Sequence, residues 1–433
     1  MAFTLEKKIV KDRSEVIESG SRSLKVIADV DVAVIGGGPS GVAAAISAAR
    51  NGMKTMLIER YPYLGGMMTG GLVLLLIEYD RYEYGILKET VERLTKLPNG
   101  VTLPPRKRPW ILGPETPTWI EGFGLSGSYA PPFDPEMLKF VCNEMAVEAG
   151  VKLMLNCTFV DAITVDDAVQ GVIIENKEGR QAVLSKVTID ATGDGDVFAR
   201  AGAPFQEDMH PTGLSLSYRL MNVDVRRALK FREENPEKYN ELINEHTGKE
   251  YGLVWFPTTI EGVVLFFQHL RGLSAIKVED LIKAEVEGRR KVMAAIEFFR
   301  KNIPGFESAI LIDTSPQIGT RESRRVEGEY ILTKQDVIEG KRFKDVIARN
   351  PYFDIPYRCL VPRKVDNILV AGRCISTTHE AQAAIRMIAP CYATGEAAGA
   401  AAAEAIEEKV PPREVDLSKL QERLIKQGVV INP

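Results

Sequence analysis

Histidine and cysteine are both scarce in this sequence, and neither falls into a pattern. Four histidines are scattered over 433 residues, which argues against a zinc site built from ligands at short spacing. The five cysteines, Cys142, Cys157, Cys359, Cys374 and Cys391, include no C-x-x-C pair and are odd in number. That argues against a disulfide framework and for a reducing compartment. Long apolar runs are also missing. The longest purely aliphatic one, Leu72 to Ile77, is far short of the roughly 20 residues a membrane span needs. The first thirty residues carry Glu6, Lys7, Lys8, Lys11, Asp12 and Arg13 without an apolar segment, so no signal peptide is expected. Net charge is −4 with no basic block, which gives no footprint for nucleic acid. The expectations are a cytoplasmic protein with a small-molecule substrate, no membrane and no nucleic-acid partner, with a homo-oligomer left open.

What the chain does have is concentrated near its start. In "DVDVAVIGGGPSGVAAAISAARNGMKTMLIER" the β-branched run Val32 to Ile35 enters Gly36-Gly37-Gly38-Pro39-Ser40-Gly41, a G-x-G-x-x-G. The first glycine permits a tight turn, the second admits a pyrophosphate to the backbone, and the third lets helix pack on strand. Pro39 and Ser40 open a small-residue helix closed near Gly52, whose N-terminus presents N–H groups to phosphate. A second strand follows and ends at Glu59, 18 positions after Gly41, where a ribose-binding acid belongs. A carboxylate there disfavours NADP and leaves NAD and FAD open. The bland reading is a glycine-rich turn in an unrelated α/β protein.

Three further stretches bear on that choice. Arg60 and then "YPYLGG" place Gly65-Gly66 just after the second strand. This resembles the R-x(4)-G-G continuation of FAD-binding proteins of the glutathione-reductase type, although taken alone the two glycines are equally a plain turn. "AVLSKVTIDATGDGD" reads as a strand ending in Ala191-Thr192-Gly193 and follows an alternating, turn-punctuated meander. "VDNILVAGRCIS" leads a strand, Ile368 to Ala371, into Gly372-Arg373. A long Ala/Gly helix follows, "PCYATGEAAGAAAAEAIEE", with Pro390 expected at its first position.

Together these pieces resemble a group of FAD-dependent oxidoreductases over most of the chain, with residues 200 to 300 contributing little. The resemblance implies non-covalently bound FAD. It also implies that Gly36, Gly38 and Gly41 contact the pyrophosphate and that Glu59 binds the adenosine ribose beside Arg60. Gly65, Gly66 and Met67 would line the flavin entrance, and Phe159 or Val160 would meet adenine through the backbone. Ala191, Thr192 and Gly193 would lie near the cofactor. Gly372, Arg373 and the Met387–Ile388–Cys391 segment would approach the ribityl chain and isoalloxazine. A second G-x-G-x-x-G and a C-x(4)-C redox pair are absent, so electrons are expected from the substrate itself.

The fold class expected is α/β: a Rossmann-like FAD-binding domain with a parallel sheet and a β-meander, interleaved with an α+β substrate domain. Residues 1–28 read as an arm or strand pair, 29–203 as the first part of the FAD-binding domain, and 72–132 within it as long loops. Residues 204–353 read as the substrate domain, with "GLSLSYRLMNV" as its sheet and charged helices near 224–247 and 277–301. Residues 354–407 return to the FAD-binding domain and 408–433 form a tail.

For chemistry, "STTHEAQAAIRMIAP" lies between the Gly372 turn and the long helix. His379 is the candidate proton acceptor, against the reading of a hydrogen-bonded structural histidine. Arg386 would hold a substrate carboxylate or pair with an acid of its own protein such as Glu380. In "IGTRESRRVEGEY", Arg321 and Arg325 would share one strand face and Arg324 the other, reaching the flavin or an anionic substrate. The alternative is a salt-bridge network at the domain seam. His210, Tyr218, Arg219, Trp255 and His269 are unranked pocket candidates, and Cys374 and Cys391 read as core residues before redox thiols. No metal is expected. The reading is hydride transfer between a small organic substrate, an anion being one option, and flavin N5, with an NAD-dependent Rossmann dehydrogenase or a non-catalytic flavin-binding module as alternatives.

Overall fold

The computed structural model of the chain describes residues 23–103, 130–209, 213–247 and 253–431, with the backbone of two short strands ahead of them. Those strands, β1 (Ile9–Asp12) and β2 (Glu15–Ile17), pair antiparallel. The main sheet follows. β3 (Lys25–Ile35) lies between β4 (Thr55–Ile58) and β8 (Gly179–Asp190), parallel to both. β5 (Lys152–Met154) extends it beyond β4, again parallel. β6 (Thr158–Val165) and β7 (Ala168–Asn176) form the expected meander with the first half of β8. The second half of β8 instead takes the late strand β17 (Ile368–Val370) as a parallel neighbour. One long strand thus serves the meander and the parallel sheet and ties residue 190 to residue 370.

The reason β3 and β4 are strands is burial on both faces: Val32, Val34, Met56 and Leu57 are fully enclosed, as parallel strands between helices must be. The covering helices are Pro39–Arg50 and Ile388–Glu408. Their approach is close enough that glycine is obligatory. A Cβ on Gly395 would sit 2.1 Å from the Ser40 carbonyl oxygen, and one on Gly399 2.3 Å from that of Ala44. Ser47 adds a hydroxyl donated to the Glu396 carbonyl at 2.8 Å.

The stretch expected as loops from 72 contains a helix, Gly85–Leu94, that buries Ile86, Leu87, Val91 and Leu94. Glycines and prolines on either side obscure its periodicity, and its cap is not local. Glu396, 3% exposed, accepts from the Ile86 N–H at 3.0 Å, a carboxylate closing a helix N-terminus from 310 positions away. The Pro135–Glu148 helix is capped as its sequence indicates, by Asp134 accepting from Glu136 and Met137. The tail of the chain is also helical, Leu417–Lys426.

The smaller sheet has the order β11 (Val254–Pro257), β12 (Val264–Leu270), β10 (Leu214–Met221), β13 (Ile310–Thr314), all antiparallel. Leu214, Leu216, Tyr218, Leu220 and Phe266 face a separate core under the Val278–Asn302 helix. The opposite face of β12, Leu265 and Phe267, packs on the larger core. Two helices, Val225–Glu234 and Pro236–Thr247, replace the single helix expected near 224–247, because Pro236 cannot continue the first. The smaller core runs from Leu214 to Ile318, while Val326 to Phe353 pack with the larger one, so the expected boundary at 353 lies nearer 318. Among the described residues no helix is long and apolar enough to cross a membrane.

Burial pushes the Glu396 carboxyl up to about 7, against the Ile86 N–H that lowers it. A carboxyl raised in this way stabilises the fold below its ordinary range, and that contribution is lost as pH rises toward 7. The slope is at most about 1.4 kcal/mol per pH unit. Glu396→Gln keeps the acceptor and cannot ionise. It should therefore gain in melting temperature relative to wild type between about pH 5 and about pH 8. Equal pH profiles for the two proteins would show that this carboxyl does not titrate in the window.

Candidate functional site

The turn after β3 explains two of its three glycines by packing. Gly36 has φ +99°, and a Cβ there would lie 2.5 Å from the Ala191 carbonyl oxygen; a Cβ on Gly41 would lie 1.7 Å from that of Gly36. Gly38 is different. Its Cβ would meet nothing nearer than the Gly66 Cα at 4.0 Å, so no protein neighbour requires glycine there. Open space in front of Gly38, at a helix start with no side-chain cap, is what a phosphate would occupy. Gly65 donates its N–H to the Gly37 carbonyl at 2.8 Å. A Cβ on Gly66 would be 2.8 Å from the Gly38 Cα, which lays the second pair of glycines along the first loop.

Glu59, 7% exposed, closes the same loop: one carboxylate oxygen accepts from the Gly37 N–H at 2.5 Å, the other from Tyr61 at 2.9 Å. Burial raises this carboxyl and the two N–H groups pull it back. Arg60 stacks over the Tyr61 ring at 5.0 Å. Cys157 donates to the Glu59 carbonyl at 3.0 Å, and Phe159 and Val160 follow in β6.

The distant segments converge on this wall. Ala191 donates to the Ile35 carbonyl at 2.9 Å, and Thr192 is fixed by buried Asp190. A Cβ on Gly372, φ +84°, would lie 2.5 Å from the Ser40 hydroxyl; one on Gly193 would lie 2.9 Å from Arg373. The long helix begins at Ile388 after Met387, which puts Pro390 at its third position, not its first. Met67 lies in a short 3₁₀ turn after Gly65.

Arg373 pairs with Asp194 at 2.8 Å and donates to Ser323, which donates to Asp194. Arg324 bonds Asp196 and the Asp194 carbonyl and lies over Phe205. Those bonds are the salt-bridge network at the seam, the alternative reading for this arginine. Arg325, 1% exposed, bonds Glu322, Asp208, Gln206 and the Thr377 carbonyl. The strand here, β14 (Arg324–Val326), pairs with β9 (Phe205–Glu207). Arg321 precedes it, so Arg321 and Arg325 do not share a strand face. Asp208, Glu322 and His379 each bring a donor atom within 4.8 Å of the others, an arrangement that could hold a metal ion. Arg325 already pairs with both carboxylates.

Arg321 and Arg386 are of another kind. Arg321 donates to His269 Nδ1 at 3.2 Å and to the Gly213 carbonyl at 3.4 Å. Arg386 caps the His379–Ile385 helix, and its buried Nε has no hydrogen-bond partner. Desolvation and the neighbouring Arg386 push Arg321 down to about 9, and desolvation pushes Arg386 down to about 10 against the attraction of Glu322. Guanidinium stays charged in proteins, and burial is the main cause of both shifts. Among the described residues neither makes an ion pair. His379 is bonded through Nδ1 to Glu322 at 2.9 Å.

Tyr63 and Gln317 escaped the reading of the sequence. The Tyr63 hydroxyl and Gln317 Oε1 are buried without partners, and both would lie within 2.7 Å of a Cβ on Gly70. Nothing in the residues around them marks this, since it comes from Gln317 donating its N–H to the Gly70 carbonyl across the seam. Tyr218 and Trp255 belong to the smaller core, and Arg219 pairs with Asp313 at 2.6 Å. His210 lies outside the described residues. Burial pushes the Cys374 and Cys391 thiols up, Cys391 to about 12, which suits core residues.

The architecture and the glycine cradle define a dinucleotide-binding flavoprotein. The family described as FAD dependent oxidoreductase matches residues 31–352 and 348–424, and the chain belongs to it. FAD is the cofactor, which sets aside the NAD-dependent alternative. The residues fit it: the open space before Gly38 has room for a phosphate, and the buried Glu59 carboxyl closes the same loop. Among curated proteins the chain is 29% identical to digeranylgeranylglycerophospholipid reductase of Thermoplasma volcanium over 45% of its length and 48% of that protein. It is 28% identical to thiamine thiazole synthase of Methanococcus maripaludis over 39% and 57%. The chain thus spans about half the length of these relatives. A geranylgeranyl bacteriochlorophyll reductase-like structure from Thermoplasma acidophilum superposes with TM-score 0.53 at 17% identity, covering 93% of this chain and 84% of that one. The p-nitrophenol 4-monooxygenase of Pseudomonas putida does so at 0.50 and 11%, covering 93% and 85%. At such identities the likeness fixes the fold alone.

Gly38→Leu should abolish flavin retention while leaving the fold intact, because its side chain enters open space and not a packed neighbour. Absorption of the purified variant tests this, and full flavin content would refute the placement of the pyrophosphate.

Proposed function

We propose that this protein exchanges a hydride between a small organic anion and flavin N5 of non-covalently bound FAD. The observation that carries the reading is Arg386, a charged group with a buried, unpartnered Nε beside a second arginine. Two like charges held together out of water are costly, and an incoming carboxylate would relieve both. Bound FAD supplies the two-electron acceptor or donor.

The chain's residues supply the rest. Glu322, 3% exposed and paired with Arg325, can only accept from His379, so the His379 proton sits on Nδ1 and its lone pair on Nε2. That nitrogen is the base of the pair. In the oxidative direction His379 would take the O–H or N–H proton of the substrate, and bound FAD would supply the acceptor for the hydride from the adjacent C–H, leaving a double bond between those atoms. Reduction returns both. Arg386 and Arg321 orient the anion so that the reacting carbon meets the flavin.

Arg386→Met should weaken binding of an organic acid about tenfold to a hundredfold, the worth of a charge-assisted hydrogen bond, with flavin retained. His379→Asn should slow anaerobic flavin reduction by such an acid about a hundredfold or more at unchanged binding. Stopped-flow reduction against acid concentration separates the two effects. An unchanged rate would remove His379 from catalysis. A protein that binds flavin but turns over none of a broad panel of organic acids would favour a flavin-binding module.

A further inference from the structure

The Val278–Asn302 helix is apolar on two faces, and the fold uses one of them. Ala284, Gly288, Val292, Ala295 and Phe299 are buried under the smaller sheet. At 3.6 residues per turn, Val278, Ile282, Val286 and Met293 fall in a second row about a third of a turn away. They are 64%, 58%, 47% and 54% exposed. Single exposed apolar side chains are ordinary on a protein surface; four along one row are not. Among the described residues none of the four packs into either core.

The charges along the helix indicate what covers the row. Glu279 and Asp280 occupy its first turn, Arg300 and Lys301 its last. A second copy of the same helix laid antiparallel sets each acidic turn against a basic one, and does so twice. A parallel copy would set acid on acid and base on base. The apolar residues agree with the antiparallel register. Pairing Val286 with Met293 of the second copy and Glu279 with its Arg300 gives the same midpoint, between positions 289 and 290, so a single two-fold axis satisfies both. Arg289 at that axis is already answered within its own helix by Glu285.

We propose that this row is the interface of a two-fold homodimer in which the two Val278–Asn302 helices lie antiparallel. The contact of one helix pair stands at the small end of specific interfaces, so the dimer is reversible and depends on concentration. Leu265 and Phe267 pack the other face of the small sheet on the FAD-binding core. The row therefore points away from the flavin half, and flavin content serves as a control for folding in every variant.

The test is sedimentation equilibrium of the FAD-loaded full chain over about a hundredfold range of concentration. The mass should rise from one chain toward two. Val286→Glu with Met293→Glu should raise the dissociation constant at least about a hundredfold, since each buried charge occurs twice across the axis. Glu279→Arg should weaken the dimer, and adding Arg300→Glu should restore it. The described cysteines are all buried, which allows a cross-linking test of the register. Under mild oxidation Arg289→Cys, beside the axis, should close a disulfide between two copies. Val278→Cys should not, because the antiparallel register separates its two copies by about 30 Å. A chain that stays monomeric throughout the range, a dimer that survives Val286→Glu with Met293→Glu, or cross-linking of Val278→Cys in place of Arg289→Cys overturns the proposal.

Discussion

The contact between the Pro39–Arg50 helix and the Ile388–Glu408 helix is the constraint on which the rest of this structure depends. Gly395 and Gly399 let the two backbones approach within a distance that no side chain tolerates, and a close-packed interior has little capacity to relax around an intruding methyl group. The consequence is topological. The helix that starts at the dinucleotide loop and the helix that starts at Met387 are locked together, so the turn at Gly36–Gly41 and the turn at Gly372 share one wall although more than three hundred residues separate them. β17 pairing with β8 fixes the same join from the sheet side. Everything inserted between those segments, including the smaller sheet, is held against a frame that the two ends build.

Glu322 organises the chemistry as the helix pair organises the fold. Buried acids are costly unless paired, and Arg325 supplies the pair. The same carboxyl bonds His379 Nδ1 at 2.9 Å. Arg386 sits within its field but has no direct bond to it. One buried carboxylate therefore neutralises one arginine, holds one histidine, and leaves a second arginine under-compensated. Arg321, which makes no ion pair among the described residues, donates to His269 Nδ1, so the two imidazoles are held by opposite kinds of neighbour.

Much of the FAD-binding half was legible in the sequence because its physics is local. Strand, glycines and helix at 32–52, the acid at 59, and Asp134 capping its helix all depend on neighbours a few positions away. The segments at 191–193 and 372–373 were legible only through resemblance, since nothing local says that Gly372 must meet Ser40. What stayed hidden was long-range. The Gly85–Leu94 helix takes its cap from Glu396, Tyr63 and Gln317 meet at Gly70 across the seam, and Arg324 is answered by Asp196 on another element. The three arginines within the five residues 321–325 looked uniform as a string, yet three environments divide them: a seam brace, a buried ion pair, and a charge with no acid among the described residues. Side-chain type announced positive charge; only the tertiary partners decided which charges were spent on structure.

That division is also the strongest argument that the site is functional. Arg324, Arg325 and Arg373 each meet a carboxylate at 3.0 Å or closer, so the fold is able to compensate guanidinium groups in this region and does so wherever structure is the purpose. Arg321 and Arg386 lie in the same region without such a partner among the described residues. Replacing either by an apolar residue would remove both the repulsion and the desolvation cost. A fold shaped for stability alone would favour that replacement, or an acid between the two. Keeping two arginines in that state gives up stability, the pattern expected where charge is reserved for function.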